Sequence, residues 1–223
     1  MEHLPQNAQS AAEQWANYGW APNFPWAKGA DFIGALSAPS SQEEADEKML
    51  SILTHENQLV LFQKIEILAT RNNGNITTLS DAIGCFQAGF YTACSLSLFA
   101  LIDGCLIVKQ PRGEGRNNRR QLTEKVMKNI KKPEIMKCFV PLNALVIVTK
   151  NFFDDADDFN PEKEDGLNRN FVSHGMNQYN PTRTDCLKLF VLLYNFYFLI
   201  DAKILRWDGK TFEYTIPEDS VQP

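Results

Sequence analysis

Histidine is the residue this chain has least of: His3, His55 and His174 are the only three in 223 residues. Such scarcity leaves few side chains able to carry a proton near neutral pH. His3 lies in a polar leader and His55 sits among Thr54, Glu56 and Asn57, which leaves His174 as the candidate. The five cysteines (Cys85, Cys94, Cys105, Cys138, Cys186) form no CxxC and have no histidine nearby. An odd count, mostly within apolar stretches, points to buried thiols in a reducing compartment rather than to a disulfide framework or a zinc site. Long uninterrupted apolar runs are also missing. Leu187–Ile200 contains Asn195 and Ala93–Val108 contains Asp103, so neither reads as a membrane span. The N-terminus is polar and Trp-rich, without the pattern of a secretory signal. The expectation is a cytoplasmic protein with no membrane partner. Internal repeats and low-complexity tracts are absent. The acidic stretch Asp154–Asp165 has seven acids and one lysine but not the spacing of a calcium loop. It reads as a solvated loop, and no metal or cofactor is expected.

What is present is enough for one substantial domain, with 44% hydrophobic residues. The net charge of −5 is unevenly spread. Residues 109–132 hold nine Lys/Arg against two Glu, so +7 sits in one stretch and the rest carries −12. A basic patch on an acidic body suits a directed contact with an anion, or a solvated loop.

In chain order, residues 1–40 interleave Trp15, Trp20, Trp26, Tyr18, Phe24 and Phe32 with Pro22, Pro25 and Pro39. Proline at this density prevents a long helix, and the aromatics carry too much apolar area to leave in water. An arm docked on the main body is expected, with a role in holding a ligand or partner as the sharper alternative. Ser40–Ser41 before Gln42, Glu43 and Glu44 signals a helix start, and the helix runs through Met49, Leu50 and Leu53. A second helix spans Asn57–Thr70, with Leu59, Phe62, Ile65 (or Ile67) and Leu68 on one face. Asn72-Asn73-Gly74-Asn75 breaks it. Ser80 then caps one long helix to Val108, with Ile83, Phe86, Phe90, Ala93, Ser97 and Leu101 as its core stripe. A loop over 109–120, a short basic helix Gln121–Ile130 and an apolar helix Leu142–Phe153 follow. Asp165 is placed to cap a short helix ending at Gly175. Pro181 and then Thr182 or Thr184 open the last long helix, to about Ala202. Ile204–Trp207 and Thr211–Ile216 read as two strands about Asp208-Gly209. The expected fold is mainly α: an up-and-down helical bundle at 57–202, after an aromatic arm and short helix at 1–56 and before a short β-hairpin and tail at 203–223.

The chemistry-bearing stretch is Asn168 to Gly175, Asn-Arg-Asn-Phe-Val-Ser-His-Gly. Arg169 can hold phosphate oxygens bidentately and stays charged; His174 can take or give a proton near pH 7. On an ideal helix the two lie roughly 140° apart, whereas Asn170 and His174 share a face. A site using Arg169 and His174 together therefore needs the histidine to swing back at the helix end, or a second copy of the motif from a partner subunit. With RNA, the adjacent 2′-hydroxyl can attack, so no metal is required. The bland alternative is that the Arg and His simply bind helix-end carbonyls and neighbouring acids. Spacing alone favours it.

Arg169-Asn170-x-x-x-His174-Gly175, followed by Thr182-Arg183-Thr184-Asp185 and the apolar Leu187–Ile200 helix, resembles the HEPN superfamily (higher eukaryotes and prokaryotes nucleotide-binding domain), whose marker is R-x4-6-H. Ala82–Val108, with Phe86, Gly89, Tyr91, Leu98 and the Leu101-Ile102-Asp103-Gly104 step, is similar to the long early helix of such domains. The resemblance covers roughly residues 57–202 and leaves out the arm and the hairpin. It implies a metal-independent endoribonuclease of a defence, antiviral or toxin–antitoxin kind, working as a homodimer with a composite active site. By the same resemblance Arg169 stabilises the charged transition state, His174 is the general base or acid, and Asn170 orients the phosphate or His174. Ser173, one turn from Arg169, can assist. Arg112, Arg116, Arg119, Arg120, Lys125 and Lys128 would contact the RNA backbone, and an antitoxin or regulatory protein is a further implied partner. Some relatives with this fold are instead non-catalytic modules that bind a nucleotide, RNA or protein. A helical interaction protein outside the family is the third reading.

Overall fold

Two stretches of this chain are apolar on nearly every side, and a helix of that kind must lie at the centre of whatever it forms. They become α5 (Tyr91–Val108) and α8 (Arg183–Asp201) in the computed structural model. The structure describes residues 6–23, 37–108, 145, 147–153, 166–175, 179–201, 206–207 and 212–213. Around the central pair lie α1 (Gln6–Asn17), α2 (Gln42–Ile52), α3 (His55–Arg71), α4 (Ile76–Gln87), a helical stretch α6 (147–153) and α7 (Arg169–His174). The protein is mainly helical. α5 packs on α4, α7 and α8, while α3 packs on α4 and α8. No helix among the described residues is long and apolar enough to cross a membrane. Beyond α8, two-residue strands β1 (Arg206–Trp207) and β2 (Phe212–Glu213) pair antiparallel, Arg206 with Glu213 and Trp207 with Phe212.

Every residue of α8 from Asp185 to Tyr197 is buried. Phe190 is its hub. The Phe62 ring of α3 lies 4.7 Å away and the Phe86 ring of α4 5.5 Å, the latter edge-on. Such pairs add about 0.5–1.5 kcal/mol beyond the area they bury. The buried polar residues of α8 are each satisfied by tying down something peripheral, as a low-dielectric interior demands. At its start, Thr182 and Asp185 form a reciprocal cap: Thr182 N–H donates to Asp185 Oδ2 (2.8 Å) and Asp185 N–H to Thr182 Oγ1 (3.2 Å). Tyr179 Oη also donates to Asp185 (2.8 Å), and burial followed by that carboxylate pushes the phenol pKa up.

The aromatic arm docks through the same helix. Trp15 and Trp20 are fully buried. Trp20 Nε1 donates to Asp46 of α2 (2.7 Å), Lys188 Nζ pairs with the same carboxylate oxygen (3.0 Å), and the ammonium lies 5.4 Å from the Trp20 ring centre. Asn195 donates to the Ala21 carbonyl (2.7 Å) and accepts from Asn23 (2.9 Å). Gly19, at φ +80°, lets the chain turn where a Cβ would sit 3.2 Å from the Phe152 ring and 3.3 Å from Lys188.

Several sequence expectations need correction. The single long helix to Val108 is two helices, capped at Asn75 rather than Ser80 and broken around Gly89 at φ +80°. Phe90 is consequently 67% exposed instead of lying on a core stripe. In α5 the core side is Cys94, Leu98, Phe99, Leu101, Ile102 and Cys105, while Ala93 is exposed and Ser97 half-buried. In α3, Leu59 and Ile67 face solvent, and Leu61 and Ala69 join Phe62, Ile65 and Leu68 inside. The prolines leave room for the 12-residue α1, which finishes before Pro22. The cap of α7 is Asn168; Asp165 lies outside the described residues. Also outside them are Trp26, Phe24 and Phe32 of the arm, Cys138, the whole basic stretch 109–132, most of Leu142–Val146, the acidic loop and the Asp208-Gly209 turn.

Candidate functional site

A six-residue helix is too short to hold itself, so α7 exists because its ends are fixed and one side is buried. Asn168 accepts from the Asn170 N–H (2.8 Å) through its side chain, which supplies the N-cap. Gly175, at φ +64°, supplies the left-handed stop. Phe171 and Val172 are buried, while Ser173 and His174 are solvent-exposed at the C-terminal end. Arg169 and His174 thus occupy opposite ends of one helix, about 7.5 Å apart along an ideal axis.

The guanidinium of Arg169 is held from two sides. Nε and Nη2 both donate to Asp103 Oδ2 of α5, at 3.1 and 2.8 Å, and Nη1 donates to Asn170 Oδ1 at 2.9 Å. The ion pair is partly screened from water, with side-chain exposures of 24% for Arg169 and 12% for Asp103. An arginine has five N–H donors. Three are committed here, and among the described residues nothing else takes the remaining donor on each of Nη1 and Nη2. Those two donors, on a planar and permanently charged group, suit the oxygens of a phosphate or carboxylate.

The structure therefore gathers Arg169, Asn170 and Asp103. It gives Asn170 a contact with Arg169 rather than a face turned only to ligand. Ser173 and His174 stand in solvent at the far end of the same helix, and Arg112, Arg116, Arg119, Arg120, Lys125 and Lys128 lie outside the described residues. Sequence reasoning missed the part played by Asp103, although a lone acid in an apolar helix was a visible signal: a buried carboxylate needs a partner. No group of three or more His, Cys, Asp or Glu residues among those described is placed to hold a metal ion.

Elsewhere, Cys85, Cys94, Cys105 and Cys186 form no disulfide among the described residues. Cys94 is kept protonated, its pKa pushed up by hydrogen bonding to Cys186 and by burial. Cys186 in turn donates to the Tyr91 carbonyl at 3.4 Å. A separate cleft of about 310 Å³ opens between the α3–α4 turn, α5 and α8, against Asn72, Asn73, Asn75, Gly104, Cys105 and Tyr197. Comparison of this chain with known protein families, with curated proteins and with solved structures found no match.

Proposed function

We propose that this protein is a metal-independent endoribonuclease of HEPN type, a homodimer that cleaves RNA through attack of the 2′-hydroxyl on the adjacent phosphodiester. The observation that carries the reading is the arginine at the head of α7, held on two sides and, among the described residues, keeping a donor on each terminal nitrogen, with an exposed histidine at the foot of the same helix. In the proposed reaction His174 removes the 2′-hydroxyl proton or returns one to the 5′-oxygen that leaves. Arg169 stabilises the negative charge gathering on the phosphoryl oxygens, and Asn170 steadies Arg169. The 2′-oxygen–phosphorus bond forms, the bond from phosphorus to the 5′-oxygen breaks, and the products are a 2′,3′-cyclic phosphate and a 5′-hydroxyl. Two motifs facing each other across a dimer supply one composite cleft, which answers the angular separation of Arg169 and His174 on a single helix. Arg112, Arg116, Arg119, Arg120, Lys125 and Lys128 contact the RNA backbone. Such an enzyme fits a cytoplasmic defence or toxin–antitoxin setting, with an antitoxin or regulatory protein as its restraint.

The pairing of Arg169 with Asp103 favours a second reading, since it neutralises the charge a catalytic arginine would offer. On that reading the domain is a non-catalytic module binding a nucleotide, RNA or protein. Cleavage of a mixed RNA pool in EDTA, with wild type, Arg169→Ala and His174→Ala at matched folding and dimer content, separates the two. The expected outcome is cyclic-phosphate ends from wild type and a loss of about a hundredfold or more in each variant. Equal cleavage by wild type and His174→Ala would remove the histidine from the chemistry. Silence from all three would favour the binding module.

A further inference from the structure

We infer that Asp103 is the positioning residue of this site: it fixes the Arg169 guanidinium edge-on so that the donors left on Nη1 and Nη2 are presented to an anionic phosphate. The inference rests on the ribonuclease reading for its catalytic consequence, but not for its geometry. A long arginine side chain on a six-residue helix has several rotamers, and holding one of them costs side-chain entropy. Here a single carboxylate oxygen from another helix takes both Nε–H and an Nη2–H, at 3.1 and 2.8 Å. That contact defines the plane and the roll of the guanidinium, and Asn170 at 2.9 Å braces Nη1. Asp103 is buried and belongs to the central helix α5, so the reference point is rigid. Leu101, Ile102 and Cys105 of α5 face the core, and Asp103 alone of that turn carries a charge. Chemistry held on a rigid element is more precise than chemistry on a loop, and a misplacement of about 1 Å can cost a hundredfold in rate.

The test uses the full chain and two variants. Asp103→Ala removes the acceptor, whereas Asp103→Asn keeps an oxygen that can accept while removing the charge. Solvent exchange of the Arg169 Nε–H, followed by nitrogen-15 NMR and assigned with Arg169→Lys, reads the contact without RNA. Steady-state cleavage reads its consequence, with circular dichroism matching the folded fractions. In Asp103→Ala the expected result is exchange accelerated to that of a free arginine and kcat lowered about 10- to 100-fold with KM within about twofold. Asp103→Asn should recover most of kcat, which a merely stabilising charge would not do. Unchanged Nε–H exchange in Asp103→Ala, or kcat within about twofold of wild type, overturns the assignment. A wild type that cleaves no RNA sinks the ribonuclease reading while leaving the exchange measurement to uphold or overturn the hold of Asp103 on Arg169.

Discussion

Lys188 with Asp46 and Arg169 with Asp103 are both ion pairs that tie a peripheral segment to a central helix, yet they leave the cation in different situations. The Lys188 side chain is 8% exposed and lies against Trp20, so its charge is enclosed by the arm it holds. Arg169 is 24% exposed and, among the described residues, keeps two donors beyond those given to Asp103 and Asn170. A lysine offers a compact charge, and burying it between a carboxylate and an indole uses that charge for docking. An arginine offers a planar fork wide enough to be gripped on one edge and to bind with the rest. The same pairing motif is thus a fastening at one place and a mounting at the other.

The two ion pairs should differ most in what they contribute to stability. Asp46→Ala leaves Lys188 buried without its carboxylate and should cost about 3–5 kcal/mol in denaturant unfolding. Adding Lys188→Met should restore part of that, because the buried ammonium is gone while the Trp20 N–H still lacks the acceptor Asp46 gave it. Asp103→Ala should cost less, roughly 1–2 kcal/mol, since Arg169 can turn toward water. Equal losses in Asp46→Ala and Asp103→Ala would erase the distinction and make the Arg169 pair a fastening too.

A smaller and more local effect sharpens the same contrast. Asn168→Ala removes the α7 cap and should cost about 1 kcal/mol. In a helix this short the loss appears as fraying, so amide exchange across 170–175 should speed up while that of Trp15–Asn23 stays as it was. Faster exchange in the arm as well would show that the two regions do not act separately.

How much of this was legible follows from which forces are local. The helix starts at Ser40–Ser41 and at Thr182 or Thr184, and the stop at Gly175, are decided within four residues of the helix ends and read from the sequence, while the structure picks Ser41 and Thr182. The break at Gly89 was not legible, because Phe86 and Phe90 keep a four-residue step across it and the apolar period masks a left-handed turn. Arg169, Asn170 and His174 stood out as a motif, but the carboxylate that holds Arg169 lies 66 residues away. Periodicity could put Asp103 on a helix without saying which neighbour would face it. Similarly, the Trp-rich arm had to be buried somewhere, yet only packing revealed Asp46, Lys188 and Asn195 as its anchors.

The smallest expected effect concerns pH, and it falls on the fastening side alone. Glu44, one turn before Lys48 on α2, has its pKa lowered to about 2, first by Lys48 and then by Ser40, whose hydroxyl and N–H both donate to it. A folded-state pKa below the unfolded value means the carboxylate stabilises fully above about pH 4.5 and loses that contribution as the pH falls towards 2. Because Glu44 stands in solvent, where screening weakens such pairs, the effect should be slight. Its place gives it meaning, since α2 also carries Asp46, the carboxylate under Trp20. Acid should therefore loosen the start of α2 before the bundle unfolds. The check is the Glu44 carboxyl carbon shift titrated by NMR, beside unfolding of Glu44→Gln at pH 7 and pH 3. If Glu44→Gln and wild type differ as much at pH 3 as at pH 7, the Ser40–Glu44–Lys48 cluster adds nothing that ionisation controls.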